Sequence, residues 1–425
     1  MTGTLRAVRG MNDLFEDELV TWRHVEDAAR SLFLAYGFGE IRTPVVEDTE
    51  LYVRGVGEGT DIVGKEMFRV SKAGDDESLA LRPEGTAGVV RAMIEAGKLM
   101  PDAYYKVFYA GPMFRAERPA KGRYRQFHQL GAEVLGYAEP AADVEVIAAV
   151  HALLMRLGIP AQLLLSSLGD AGPDRVKYND ALRAYFAGHE SALSDDSKRR
   201  LQQNPLRILD SKDEGDQLLV VDAPKPLDFL SDAARAHFDA VKAGLEAQSI
   251  PFTIEPKIVR GLDYYTRTVF EFVGEAGLGA QSTVAAGGRY DGLVQELGGR
   301  PTPAVGFAAG IERLILVMNA TGHKQEKTPP ALALIGADDA GRLLCHKLAS
   351  ALRSRGVVVD VDLRARSVGA LMRAANKSGA RFTVTIGSSE IASGSMSLKT
   401  MATGAVVTMP IDADDLSRAI GVEVP

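Results

Sequence analysis

The chain holds one cysteine and one tryptophan in 425 residues and has no long apolar run. A single cysteine, Cys345, excludes an internal disulfide and any structural zinc site built from several thiolates. It falls in the apolar-periodic stretch GRLLCHKLASAL, where it reads as a small buried hydrophobe. No segment approaches the roughly 18 apolar residues needed to span a bilayer. The opening residues MTGTLRAVRGMNDLFEDE lack the apolar core of a signal peptide, so a cytoplasmic protein without a membrane partner is expected. Positive charge is also not in excess. Lys and Arg number 49 against 56 Asp and Glu, a net charge of -7, so contact with nucleic acid has to come from local basic patches. What is present, 46% hydrophobic and 25% charged residues, suits two or three packed domains.

A helix is expected from Asp13, because Phe15, Leu19, Trp22, Ala29, Phe33 and Tyr36 recur at helical spacings, with Asp13 as the cap and Glu16 three residues on. Gly37 and Gly39 stop it, and an extended stretch follows through Ile41 toward Pro44. LALRPEGTAGVVRAMIEAG reads as a strand, a turn and a helix beginning near Thr86, which puts Glu84 at a strand-to-helix corner. GVGEGT at Gly55 to Thr60 lacks the spacing of a dinucleotide fingerprint and reads as a loop. Tyr104 to Glu133 reads as a long hairpin whose loop carries Arg115, Arg118, Lys121, Arg123 and Arg125 against one acid, Glu117. A helix at about Ala141 to Leu157 follows, then a polar, helix-rich insertion at about 167–250 between two parts of one sheet. Strands resume at Thr266 to Val273 and Ser282 to Ala286. TGHKQEKTPP is a linker by composition, and beyond it ALALIGA, VVVDVDL and FTVTIG alternate with helices, which predicts a small α/β domain with parallel strands. The expected organisation is a first region of 1–320 interrupted by the insertion, a linker at 321–330, and a second region of 331–425.

In the returning strand of the hairpin, Leu130, Ala132 and Val134 share the core face, while Phe127, Gln129, Gly131, Glu133 and Leu135 share the other. An amide and a carboxylate on either side of a glycine leave room for a small polar ligand, so this face is either a pocket floor or an exposed sheet surface. The basic loop is either a solvated hairpin tip or an anion site in which Arg115 clamps one phosphate and the loop arginines reach a larger anion. PAVGFAAGIERLILVM brings small residues ahead of a helix beginning near Ile311, leaving amides free for an anion. Arg313, in the first turn, faces an unfavourable helix dipole and therefore answers either a surface acid or an external phosphate. In RGLDYYT, Tyr264 and Tyr265 are core residues or ligands.

These segments resemble the class II histidyl-tRNA synthetases over essentially the whole chain. AYGFGEIRTPVVE resembles the class motif that builds the dimer interface, GPMFRAERPAKGRYRQFHQLGAEVLG the second motif, and AVGFAAGIERL the third. RGLDYYT and AAGGRYDGL resemble the two signatures of the histidine enzymes, and LRPEGT and NPLRILDSK are further family text. The resemblance implies an α+β catalytic domain with an antiparallel sheet flanked by helices, a helical insertion, and a C-terminal α/β anticodon-binding domain. It implies an ATP-dependent ligase using Mg²⁺, acting on L-histidine and tRNA(His), and a homodimer. It places Arg115 at the ATP α-phosphate with Arg260 as a second cation there, Arg313 at the γ-phosphate, and Arg123 in the ATP site. Glu84 and Thr86 would hold the histidine α-amino group, Gln129 its polar groups, and Glu133 and Tyr265 its imidazole, with Gly85, Tyr264 and Arg260 also in the histidine site. Arg118 would touch the tRNA, although Ala120 departs from the family pattern in that loop, where glutamine is frequent. The alternative of another class is a histidine-sensing regulatory subunit of ATP phosphoribosyltransferase. Such subunits typically lack the anticodon domain and erode the catalytic motifs, whereas Arg115, Arg260 and Arg313 are all present here.

Overall fold

The computed structural model describes residues 4–57, 60–71, 78–258, 262–274, 276–278 and 282–421. The chain forms two compact units, Met1–Gln325 and Glu326–Pro425. Among the described residues no helix is long and apolar enough to cross a membrane.

The first unit is organised by the hairpin. Its strands Tyr105–Phe114 and Gln126–Leu135 pair antiparallel without a break, from Tyr105 opposite Leu135 to Phe114 opposite Gln126. An eight-stranded sheet grows around it in the order Gly39–Glu40, Tyr105–Phe114, Gln126–Leu135, Ala304–Gly310, Thr283–Arg289, Thr266–Gly274, Ala161–Ser167 and Thr253–Ile254. The six inner strands are antiparallel to their neighbours, and only the two short edge strands pair in parallel. Strand alternation then divides the molecule. Leu130, Ala132 and Val134 join Phe270, Phe272 and Phe307 in a core covered by the helices Glu16–Ala35, Pro140–Arg156, Asp232–Ala247 and Ile311–Ala320. The opposite face carries Tyr109, Tyr264, Tyr265 and Tyr290 beneath helix Thr86–Glu95.

Four expectations change in detail. The first helix begins at Glu16, and it is Glu18 that reaches back to the Phe15 amide at 3.1 Å; Asp13 lies two residues too far out to cap it. Gly55 and Val56 are the last turn of helix Thr49–Val56 and not part of a loop. In the second unit the strands Val359–Val361, Leu332–Gly336 and Phe382–Ile386 are parallel, but Ser395–Thr400 and Val406–Pro410 add to them antiparallel, so the sheet is mixed. Within the stretch read as an insertion, Tyr178, Leu182, Phe186, Leu201 and Ile208 form a separate core, whereas Phe238, Val241 and Leu245 of helix Asp232–Ala247 pack in the main one.

A buried ion pair pins the far end of strand Thr283–Arg289. Arg289 and Asp143 are both fully buried; the guanidinium bonds both Asp143 oxygens and the Tyr137 carbonyl, the last at 2.9 Å. Burial alone would raise the Asp143 pKa, but the His237 contact and the Arg289 charge outweigh it and hold the carboxyl below its ordinary value. Removing one partner of a buried pair leaves the other uncompensated. Asp143→Ala should therefore lower stability by about 3–5 kcal/mol, read as a lower urea midpoint; an unchanged midpoint would show that the pair contributes nothing.

Candidate active site

The face opposite the main core opens into a cleft of about 1620 Å³ lined by strand, helix and insertion residues of the first unit. The odd-numbered face of Gln126–Leu135 is turned to the cleft and is not an exposed surface: Phe127 and Gln129 line it, Gln129 being 9% exposed, and Glu133 lies beneath at 0%. The space above Gly131 is not left open for a ligand, as its small size suggests. The Tyr109 ring occupies it, so a Cβ on Gly131 would lie 2.4 Å from that ring and one on Gly85 2.3 Å.

Glu133 sits at the meeting point of three segments. Thr86 Oγ1 donates to its Oε1 at 2.7 Å and the Tyr290 hydroxyl to its Oε2 at 2.5 Å. Gly306, its cross-strand partner, is required there, because a Cβ would come within 1.6 Å of Oε2. Burial pushes the Glu133 carboxyl up to about 8, although the bonds from Tyr290 and Thr86 favour its ionised form. Glu133 thus lies below the surface lined by Thr86, Gln129, Tyr264, Tyr265 and Tyr290. Tyr264 and Tyr265 are buried, with ring centroids 4.7 Å apart and Tyr264 5.4 Å from Tyr290.

The Pro83–Glu84–Gly85 corner starts the helix Thr86–Glu95, and its side chain completes the helix end. Glu84 accepts the Thr86 amide at 2.7 Å and the Ala87 amide at 2.9 Å, satisfying donors that a helix start leaves unpaired. Burial raises the Glu84 pKa, opposed by these amides and by the Arg115 charge. Gln129 Oε1 is buried without a hydrogen-bond partner.

At the other end of the cleft three guanidinium groups converge. Arg115, just past the end of its strand, donates to the Pro83 carbonyl at 2.9 Å and lies over the Phe127 ring at 5.2 Å. Arg123 pairs with Glu117, which also lies 3.9 Å from Arg115. Arg313 donates to the Gly122 carbonyl at 3.1 Å and the Thr283 carbonyl at 3.0 Å. Burial, then the charges of Arg123 and Arg115, lower the Arg313 pKa, which is the signature of like charges gathered at one wall. An anion placed there would relieve that repulsion. Arg118 is exposed on the loop and does not line the cleft. Arg260 lies outside the described residues.

Several members of this site escape a reading of the sequence alone. Tyr290 was visible only as part of AAGGRYDGL, and its bond to Glu133 spans 157 residues. Tyr109 and Glu117 gave no signal beyond strand pattern and loop composition. Asp210, Ser211 and Lys212 of NPLRILDSK also line the cleft. Among the described residues no group of three or more His, Cys, Asp or Glu could hold a metal ion.

The family model for histidyl-tRNA synthetase matches residues 10–314, and that for an anticodon binding domain matches 326–414. The histidine–tRNA ligase of Anaeromyxobacter dehalogenans is 48% identical over 399 residues, covering 94% of this chain and 95% of that protein. That of Rhodospirillum rubrum is 48% identical over 402 residues, 94% of this chain and 95% of that one. The crystal structure of the apo histidyl-tRNA synthetase of S. aureus superposes with a TM-score of 0.82 at 33% identity, covering 98% of this chain and 100% of that chain. A Bacillus halodurans structure described as an ATP phosphoribosyltransferase regulatory subunit/histidyl-tRNA synthetase, at 21% identity and TM-score 0.66, shares the fold. With the synthetase sheet, the cleft built on it, and near-half identity along almost the full length, the chain belongs to the histidyl-tRNA synthetase family.

Proposed function

We propose that this cleft is the active site of a histidine–tRNA ligase, with histidine bound at the tyrosine-lined end and ATP at the arginine-lined end. The observation that carries the division is the Gln129 oxygen, buried without a hydrogen-bond partner beside the Thr86–Glu133–Tyr290 cluster, in the same cleft as Arg115, Arg123 and Arg313. A buried acceptor with nothing to accept is costly and calls for a donor. The protonated α-amino group and the imidazole nitrogens of histidine are such donors.

In this reading Glu84, Gly85 and Thr86 hold the α-amino group, since each Glu84 oxygen accepts one helix amide and keeps a second lone pair. Glu133, Tyr264 and Tyr265 read the imidazole, either directly or through Thr86 and Tyr290, which bond Glu133 in the structure. An amino acid without ring nitrogens would leave these buried groups unpaired, a penalty that reaches about 10⁴-fold in rate. Arg115 and Arg260 stabilise charge at the α-phosphorus, Arg313 that on the γ-phosphate, and Arg123 the same wall. A histidine carboxylate oxygen attacks the α-phosphorus, forming the acyl–phosphate bond as the bond to pyrophosphate breaks. The 3′-terminal hydroxyl of tRNA(His) then attacks the acyl carbon and AMP leaves. Positioned cations, more than a strong base, lower such barriers.

Mg²⁺ enters with ATP and would be held mainly by its phosphates, as Mg²⁺ commonly is. Glu271 is one cleft carboxylate close to Arg313, both joined through Thr283. The ion would neutralise phosphate charge. A cytoplasmic homodimer completes the proposal, supported by the exposed Val45 and Val46 in the segment that resembles the class interface motif. The anticodon-domain match at 326–414 favours a ligase over a regulatory subunit.

Two results test these roles. Arg260→Ala should lower kcat for adenylate formation far more than it raises KM for histidine, whereas a pure KM effect would remove Arg260 from the transition state. Glu133→Gln should weaken histidine binding at least about tenfold, as expected where a buried polar group loses its partner, with ATP binding nearly unchanged in calorimetry. Equal loss of both ligands would make Glu133 a structural residue. The same variant has a pH signature. Because the folded carboxyl titrates at about 8 instead of 4.5, its contribution to stability is full below 4.5 and is lost as pH rises through 8. Glu133→Gln should lack that loss.

A further inference from the structure

The loop that closes the arginine wall has a second, outward side. On its inner side Gly122, Arg123 and Tyr124 line the cleft. Its one acid, Glu117, is buried and committed to Arg123 and Arg115, and the Glu117 carbonyl accepts Arg125 Nε at 3.1 Å. The outward side is left to Arg118 and Lys121, both exposed and without an ion-pair partner among the described residues.

A distant part of the chain is fastened to this loop. The Met11 amide donates to the Val8 carbonyl at 2.9 Å, closing a turn, and the Gly10 carbonyl then accepts the amides of Arg125 at 2.8 Å and Gln126 at 3.1 Å. Gly10 has φ 84°, and a Cβ there would lie 2.8 Å from the Pro119 ring. Only glycine fits this contact and this backbone at once. Arg9 is therefore fixed one residue from a position abutting Pro119, which follows Arg118. Arg9 and Arg6 are exposed, again without an ion-pair partner among the described residues, in a chain whose net charge is -7.

We propose that the Val8–Met11 turn and the outward side of the loop form one docking surface for the phosphate backbone of the RNA acceptor end, with Arg6 and Arg9 as phosphate contacts. This rests on the ligase reading: the RNA end that receives histidine has to reach the cleft past its rim, where Arg9, Arg118 and Lys121 are exposed and have no ion-pair partner among the described residues. Phosphate contacts of this kind position the RNA and carry no base specificity. The Gly10 anchor keeps Arg9 in register with the loop, and Arg6 leads into the same turn, so that less ordering is left to the moment of binding.

The test separates RNA docking from adenylate formation, which needs no RNA. The double variant Arg6→Ala/Arg9→Ala should retain histidine-dependent ATP–pyrophosphate exchange while KM for tRNA rises several-fold with little change in kcat. The slope of log KM against log salt should fall by about 1 for each arginine removed. Lysine at both positions should restore most of the affinity. Gly10→Ala, which keeps both arginines but breaks their anchor, should also raise KM for tRNA. Unchanged KM and unchanged salt slope in the double alanine variant, with exchange intact, would overturn the docking surface and leave the ligase reading standing. Absence of exchange in the unaltered protein would overturn the ligase reading, and the docking surface with it.

Discussion

One buried carboxylate sets the geometry on which the rest of this cleft depends. Glu133 has no solvent to turn to, so its charge or its proton has to be accommodated by what packs on it. The Thr86 and Tyr290 hydroxyls do so, one from the start of a helix and the other from just past the end of strand Thr283–Arg289, which lies two strands away in the sheet. Gly306 has to be a glycine because the carboxylate lies where its Cβ would be. Tyr290 in turn follows Arg289, whose buried pairing with Asp143 fixes that strand end to helix Pro140–Arg156. The buried polar cluster is thereby tied into the sheet and both of its faces.

The arginine wall obeys the opposite logic. Arg115, Arg123 and Arg313 are each held by a carbonyl or by Glu117, and burial first, then the like charges of Arg123 and Arg115, lower the Arg313 pKa. On the proposed reading such a wall offers fixed positive charge to a polyphosphate, which is what electrostatic stabilisation of a phosphoryl-transfer step requires. The loop that carries Arg123 also presents cations outward, so a single hairpin connection serves the interior of the cleft and its rim.

Much of this was legible in residue pattern. The hairpin announced itself through aromatic and β-branched residues on either side of a charged loop, and Pro83–Glu84–Gly85 marked the helix at Thr86. Alternation correctly separated the Leu130 face from the Gln129 face, but alternation says which side a residue takes and not what lies above it. Hence the Tyr109 ring over Gly131 was missed, and the choice between pocket and open surface had to wait for the fold. The helix Asp232–Ala247 shows an apolar stripe without saying which core the stripe meets. In Ser395–Thr400 the alternating burial of Met396 and Leu398 was a period-two signal that could have been read. The Glu133–Tyr290 bond could not, because 157 residues separate the partners and only the sheet brings them together.

The central claim is that the polar cluster around Glu133 selects histidine for activation at the arginine wall. The most direct measurement is ATP–pyrophosphate exchange with each of the twenty amino acids in turn. Histidine is expected to support exchange, and every other amino acid to be slower by orders of magnitude, since none presents two ring nitrogens to the buried groups. Exchange supported by a different amino acid, or equally by several, would contradict it.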